Sequence, residues 1–188
     1  KKEKAEDLML RITLLIAFLF ISHSPSSPEA EKFEWSKRRM LTWNDFKGRP
    51  DRLNTYAAST SSGISHGYSI NHKGYLVKED SWVKAYFYPR LSWFRPQKVT
   101  AKTLRHEQTH FDISELHARI LRKKIAQFTF SHRSKQEIKA IYKEVESSRH
   151  KMQEAFDKET RHSMNSEAEA AWERKVAKLL REYRGWAE

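Results

Sequence analysis

The sequence contains no cysteine. That excludes disulfides, thiolate zinc sites, a cysteine nucleophile and a lipoprotein-type anchor, so any bound metal must be held by His, Asp or Glu. Long hydrophobic runs are missing as well. The apolar run near the N-terminus, Ile12 to Ser22, is eleven residues, well short of the roughly 20 needed to span a bilayer. Glycine and proline are scarce, five of each, and no internal repeat or low-complexity tract appears. What is present is aromatic weight: 6 Trp, 7 Tyr and 10 Phe supply large surfaces for burial, so the composition is that of a folded chain.

The formal net charge is +12. Its basic residues are spread along the chain and interleaved with Glu. This favours attraction to anionic envelope polymers over nucleic-acid binding, for which no recognition-helix or RNA-binding signature exists. Lys1, Lys2, Lys4 and Arg11 precede or flank the short apolar run, Ser22 ends it and Ser24 follows. A basic start, a short apolar run and small residues read as a secretory signal peptide over 1–24. The alternative is an uncleaved anchor, which alone would bring the protein to a membrane. Pro25, Pro28 and the serines between them make 25–32 a linker. Residues 33–188 are then one domain, exported to the periplasm or medium.

That domain divides into a strand-rich first half and a helical second half, which predicts an α+β fold. Three or four antiparallel strands are expected before residue 95. Asn71-His72-Lys73-Gly74 marks a turn, and the run from Ser81 to Tyr88 ends at Pro89. From Val99 to about Phe128 there is no Gly or Pro, which predicts a long helix. A second is expected from Ser134 to Phe156, with Ile138, Ile141, Val145 and Phe156 on one face. A third starts near Ser166, with Ser166 and Glu169 as a capping-box pair. Residues 157–163 between the last two read as a polar break.

The chemistry-bearing segment is His106-Glu107-Gln108-Thr109-His110. Residues four apart on a helix differ by only about 40°, so both imidazoles can reach one zinc ion. Glu107 lies about 60° from His110, beside the ligands, where it can take a proton from water as a general base. Zinc in such a site acidifies water and polarises a carbonyl. The bland alternative is a solvated His/Glu helix face. Phe111, Ile113, Leu116, Ile120 and Leu121 argue against it, because a helix apolar on several sides is buried and its polar groups need partners.

A third ligand must come from elsewhere. Glu115 and Asp112 project about 180° and 240° from His106, and His117 stands two turns along the helix. The candidates are His162 in the polar break, then Glu159, then His150. An extended peptide substrate is expected against an edge strand, with Ser81 to Tyr88 the first choice.

Several segments resemble a bacterial family of predicted secreted zinc-dependent proteases, formerly a domain of unknown function. They are Leu41-Thr42-Trp43-Asn44-Asp45-Phe46-Lys47-Gly48, Ser92-Trp93, Leu104-Arg105-His106-Glu107-Gln108-Thr109-His110-Phe111-Asp112-Ile113, Glu159-Thr160-Arg161-His162-Ser163 and Trp172. The resemblance implies a zincin-like metallopeptidase fold, export, zinc on His106 and His110 with Glu107 as base, and His162 as the further ligand. This chain departs from the family pattern at Phe156, where relatives often carry Tyr, and at Ser163, where they carry Gly. If that Tyr stabilises an oxyanion in relatives, this chain must use another donor or be a weaker catalyst. The resulting expectation is hydrolysis of protein or peptide substrates with Zn2+. A structural zinc site in a non-catalytic envelope protein and a zinc amidase acting on cell wall are the alternatives.

Overall fold

A computed structural model describes residues 31–188 apart from Asn54. The proposed signal peptide and most of the linker lie outside the described residues. Among these, no helix is long and apolar enough to cross a membrane.

The fold is α+β, a small antiparallel sheet followed by three helices. The strands are β1 (Phe33–Glu34), β2 (Ala58–Ser59), β3 (Ser62–Ile70), β4 (Leu76–Phe87) and β5 (Trp93–Phe94). β3 and β4 form a hairpin whose turn is built as Asn71-His72-Lys73-Gly74 predicts. Asn71 Oδ1 accepts from Lys73 N and Tyr75 N, both at 3.0 Å. Gly74 takes φ +86°, and a Cβ there would stand 2.4 Å from His132 O, so only glycine closes this turn without displacing the chain.

β4 is the middle strand of a sheet ordered β1-β4-β3, while β2 pairs separately with β5. Residues 81–88, expected to form the substrate-binding edge, therefore lie largely within the central strand. Ile64, Val83, Ala85 and Phe87 alternate onto the buried face of this sheet.

The helices are α1 (Ala101–Gln127), α2 (Ser134–Thr160) and α3 (Ser166–Glu182). α1 is the centre of the molecule. Its Phe111, Ala118, Leu121 and Ile125 join the sheet face and Ile141 and Val145 of α2 in the main core. On its other side Ile113 meets Phe156 and Trp172 in a second cluster between the three helices. Thr100 caps α1 by accepting from Thr103 N.

Helix α2 runs four residues beyond the expected end at Phe156. Asp157, Lys158, Glu159 and Thr160 form its last turn instead of a break, with Thr160 Oγ1 donating to Phe156 O at 2.7 Å. The cap of α3 is Asn165, whose side chain accepts from Ala168 N, and not the expected Ser166/Glu169 box. Glu169 turns inward and is 2% exposed. Buried Glu115 pairs with Arg119 and Arg122, which donate to the carbonyls of Leu180 and Trp186. These bonds fasten the C-terminal segment to α1.

Candidate metal centre

Residues 106–110 lie in the first half of α1, facing the last turns of α2. Gln153 and Asp157 of α2 are also four apart, so both look back at α1 from one face. The result is a tight triangle of donors. His110 Nε2 is 3.2 Å from His106 Nε2 and 3.0 Å from Asp157 Oδ1, and His106 Nε2 is 3.1 Å from the same oxygen. In a tetrahedral zinc site, donors about 2.0–2.1 Å from the ion stand about 3.3–3.4 Å from one another. The group His106, His110 and Asp157 can hold a metal ion with only small adjustment.

Each imidazole is aimed by a partner on its other nitrogen. His106 Nδ1 faces both oxygens of Glu169, at 3.2 and 3.1 Å. His110 Nδ1 bonds Gln153 Oε1, while Gln153 Nε2 donates to the His110 carbonyl at 2.9 Å. A proton on each Nδ1 leaves both Nε2 lone pairs directed at the common point, the usual arrangement behind metal-binding histidines. Phe156 forms the floor. Its ring stacks on His106 at 4.4 Å and meets His110 edge-on at 5.0 Å. It is wholly buried, so its position is one of packing and not of contact with a substrate.

The electrostatics agree with a cation at this point. Burial alone would lower the His106 imidazole, but hydrogen bonds to Asp157 and Glu169 and the charge of Glu107 outweigh it and push it up to about 9. Burial would likewise raise Asp157, yet hydrogen bonds from His106 and His110 hold its carboxyl well below the usual carboxylate range. The site attracts positive charge, which a proton or a dication can supply.

Glu107 is buried, and its Oε2 has no hydrogen-bond partner among the described residues. An unpaired buried carboxylate oxygen is costly, so Glu107 Oε2 is open to a partner such as water or a ligand. The space for one is a cleft of about 660 Å³ reaching Glu107, His106 and His110. Residues 55–60 form one wall and Asp157, His162, Ser163 and Met164 the other. The strand bordering the cleft is thus β2.

His162 is in this cleft but outside the three-donor group. Its Nδ1 is 3.5 Å from Asp157 Oδ1, and its side chain is 44% exposed. Its backbone is unusual: Arg161, His162 and Ser163 have φ of 50°, 52° and 69°. Left-handed conformation costs a non-glycine residue roughly 1–2 kcal/mol, so three in succession store strain at the cleft lip. The other candidate ligands are engaged elsewhere. Glu159 accepts from Trp172 Nε1 at 2.7 Å, and His150 is exposed beside Glu146. His117 is buried with Nδ1 2.8 Å from Ile113 O and Nε2 3.3 Å from Ser148.

The rest of the motif holds the framework. Gln108 Oε1 accepts from Leu41 N at 2.8 Å, and Asp112 Oδ1 accepts from Gln108 Nε2 and Trp35 Nε1. These bonds tie residues 35–41 to the turn of α1 that carries His106 and His110. Gly48 completes the anchor by donating to Ser92 O at 2.8 Å, where a Cβ would stand 2.7 Å from the same oxygen.

Sequence reasoning missed Asp157, Gln153 and Glu169. The signal for the first two was their spacing of four beside Phe156 on the apolar face of α2. Glu169 gave no distinguishing signal, since an acid in a helix's first turn is ordinary.

No curated protein and no solved structure matches this chain. A family model matches residues 51–163, a stretch that includes His106, Glu107, His110, Asp157 and His162, and by that match the chain belongs to the bacterial protein family of unknown function DUF922.

Proposed function

We propose that the protein is an exported zinc-dependent peptidase of zincin-like type, with His106, His110 and Asp157 holding Zn2+ and Glu107 acting as general base. The observation that carries this reading is the triangle of two Nε2 atoms and one carboxylate oxygen, each imidazole backed on Nδ1, beside a buried Glu107 oxygen that lacks a partner among the described residues. Asp157 takes the ligand role expected of His162, because its oxygen and not the His162 ring completes the triangle.

Zinc bound there supplies Lewis acidity, polarising a substrate carbonyl and acidifying water. Glu107 Oε2 accepts the proton that water loses on attack and returns it to the departing amine nitrogen. Glu169 and Gln153 accept from the Nδ1 side of each ring, which directs both Nε2 atoms at the ion. An extended substrate fits along β2. Arg95 N donates to Ala57 O at 2.8 Å, so alternation of the antiparallel ladder directs the Ala58 amide and carbonyl away from β5. Ala58 lines the cleft. Export rests on the basic and apolar N-terminal pattern, and the net charge of +12 suits anionic envelope surroundings.

The test is Glu107→Gln assayed for zinc content and for casein and peptidoglycan turnover. Zinc retained with casein hydrolysis reduced about 10²–10⁴-fold is expected. Undiminished hydrolysis in the variant would remove Glu107 from the mechanism. Zinc bound with neither version active would favour a structural metal, and turnover of peptidoglycan alone an amidase.

A further inference from the structure

His162 is held at the cleft lip by more structure than a surface-turn histidine needs. Its backbone N donates to Asp157 O at 3.0 Å, and Asn165 N closes the turn onto Thr160 O at 2.7 Å. Asn165 Nδ2 adds a bond to Glu159 O at 3.3 Å. These bonds keep three non-glycine residues left-handed, and strain of this kind persists only where its surroundings impose it. They also fix His162 relative to Asp157, the residue that completes the donor triangle. On the other side its ring packs against Tyr56, with centroids 4.5 Å apart and planes tilted by 35°.

The imidazole itself makes no hydrogen bond among the described residues. Nδ1 stands 3.5 Å from Asp157 Oδ1, beyond a good hydrogen-bond length. A half-exposed ring, clamped on both sides and bordering the cleft, can offer a donor to whatever lies between β2 and the metal-binding residues.

We infer that His162 contacts substrate directly, donating a hydrogen bond to the oxygen of the scissile carbonyl as negative charge develops on it. The inference rests on the peptidase reading above. Donors placed for a developing oxyanion act mainly on the transition state, so their loss lowers kcat more than it raises KM. Phe156 offers no donor, and Tyr56 serves as the backing that orients the ring.

The experiment compares zinc-loaded wild type with His162→Ala, His162→Gln, Glu167→Gln and Glu107→Gln on one fluorogenic peptide. Zinc affinity is measured for each by chelator competition. His162→Ala is expected to lose about 10²–10³-fold in kcat, with KM and zinc affinity each within about threefold. His162→Gln, which keeps a donor, recovers part of the loss, and Glu167→Gln, a change at an exposed residue of α3, stays near wild type. A phosphonamidate peptide, a tetrahedral anion, should bind His162→Ala more weakly by a factor similar to the kcat loss, while the hydrolysis product binds equally. If His162→Ala fails to fold, His162→Gln and the phosphonamidate measurement carry the test. Unchanged kcat in His162→Ala alongside an inactive Glu107→Gln overturns this inference and leaves the peptidase reading intact. Loss of zinc from His162→Ala overturns it by making His162 a ligand. A wild type that cleaves no peptide removes both.

Discussion

Glu169→Gln tests whether α3 takes part in the metal centre. In the structure Glu169 is nearly inaccessible, and both its oxygens lie 3.1–3.2 Å from His106 Nδ1. Replacing it by the amide keeps the shape and removes the charge that makes the imidazole a stronger ligand. The amide can also rotate to donate to Nδ1, which would move the ring proton to Nε2 and block the lone pair. Partners of this kind are worth 10–100-fold in metal affinity, about 1.4–2.7 kcal/mol. The assay is zinc titration against a fluorescent chelator at pH 7.5, with Glu167→Gln as control, since Glu167 is exposed on the same helix. The control should match wild type within twofold. Equal affinities for Glu169→Gln and Glu167→Gln would show that the contact to His106 is incidental, and the argument for aimed imidazoles would fail.

Three further outcomes are expected. Ser163→Gly relieves a left-handed residue at φ 69° and should stabilise the protein by about 1 kcal/mol, read as a rise in Tm of about 2–4 °C; a fall would mean the turn is not strained. The metal-free protein should lose stability with rising pH. His106 is raised from 6.5 to about 9, so its contribution is full below 6.5 and disappears as pH passes 9. Asp157, lowered from 3.8, contributes above that value and loses its contribution only in stronger acid. Urea unfolding of the zinc-free protein at pH 6 and pH 9.5 checks this, and zinc affinity should move oppositely, strengthening as pH rises because the ion displaces the His106 proton. Phe156→Ala removes the floor beneath both imidazoles and should cost about 3–5 kcal/mol, measured by urea unfolding; a loss below 1 kcal/mol would contradict the packing described.

The half of the site on α1 was legible because helical periodicity converts sequence spacing directly into angle. Spacing alone placed His106 and His110 side by side, and the structure brings their Nε2 atoms to 3.2 Å. The half on α2 was not. Asp157 begins a run of polar residues, Asp-Lys-Glu-Thr, that offers no apolar stripe and so reads as a break. The helix continues there because Gln153 and Asp157 bond across to α1 and Thr160 bonds back to Phe156, tertiary contacts that overrule local propensity. His162 was placed in the right cleft, though its ring stands next to the donor triangle and not within it. Glu169 looked like a cap because burial has no signature in a single acidic residue. The β3–β4 hairpin could be read from its turn, whereas β2 and β5, two residues each, are too short to show alternation. The cleft wall was therefore assigned to the longer run from Ser81 to Tyr88.

The central claim is that one metal ion sits where α1 and α2 converge. Anomalous scattering at the zinc edge from crystals of the purified protein tests it most directly. The account predicts a single strong peak within about 2.0–2.2 Å of His106 Nε2, His110 Nε2 and an Asp157 oxygen. A zinc-replete crystal with no peak there, or with the ion on other residues, would contradict it.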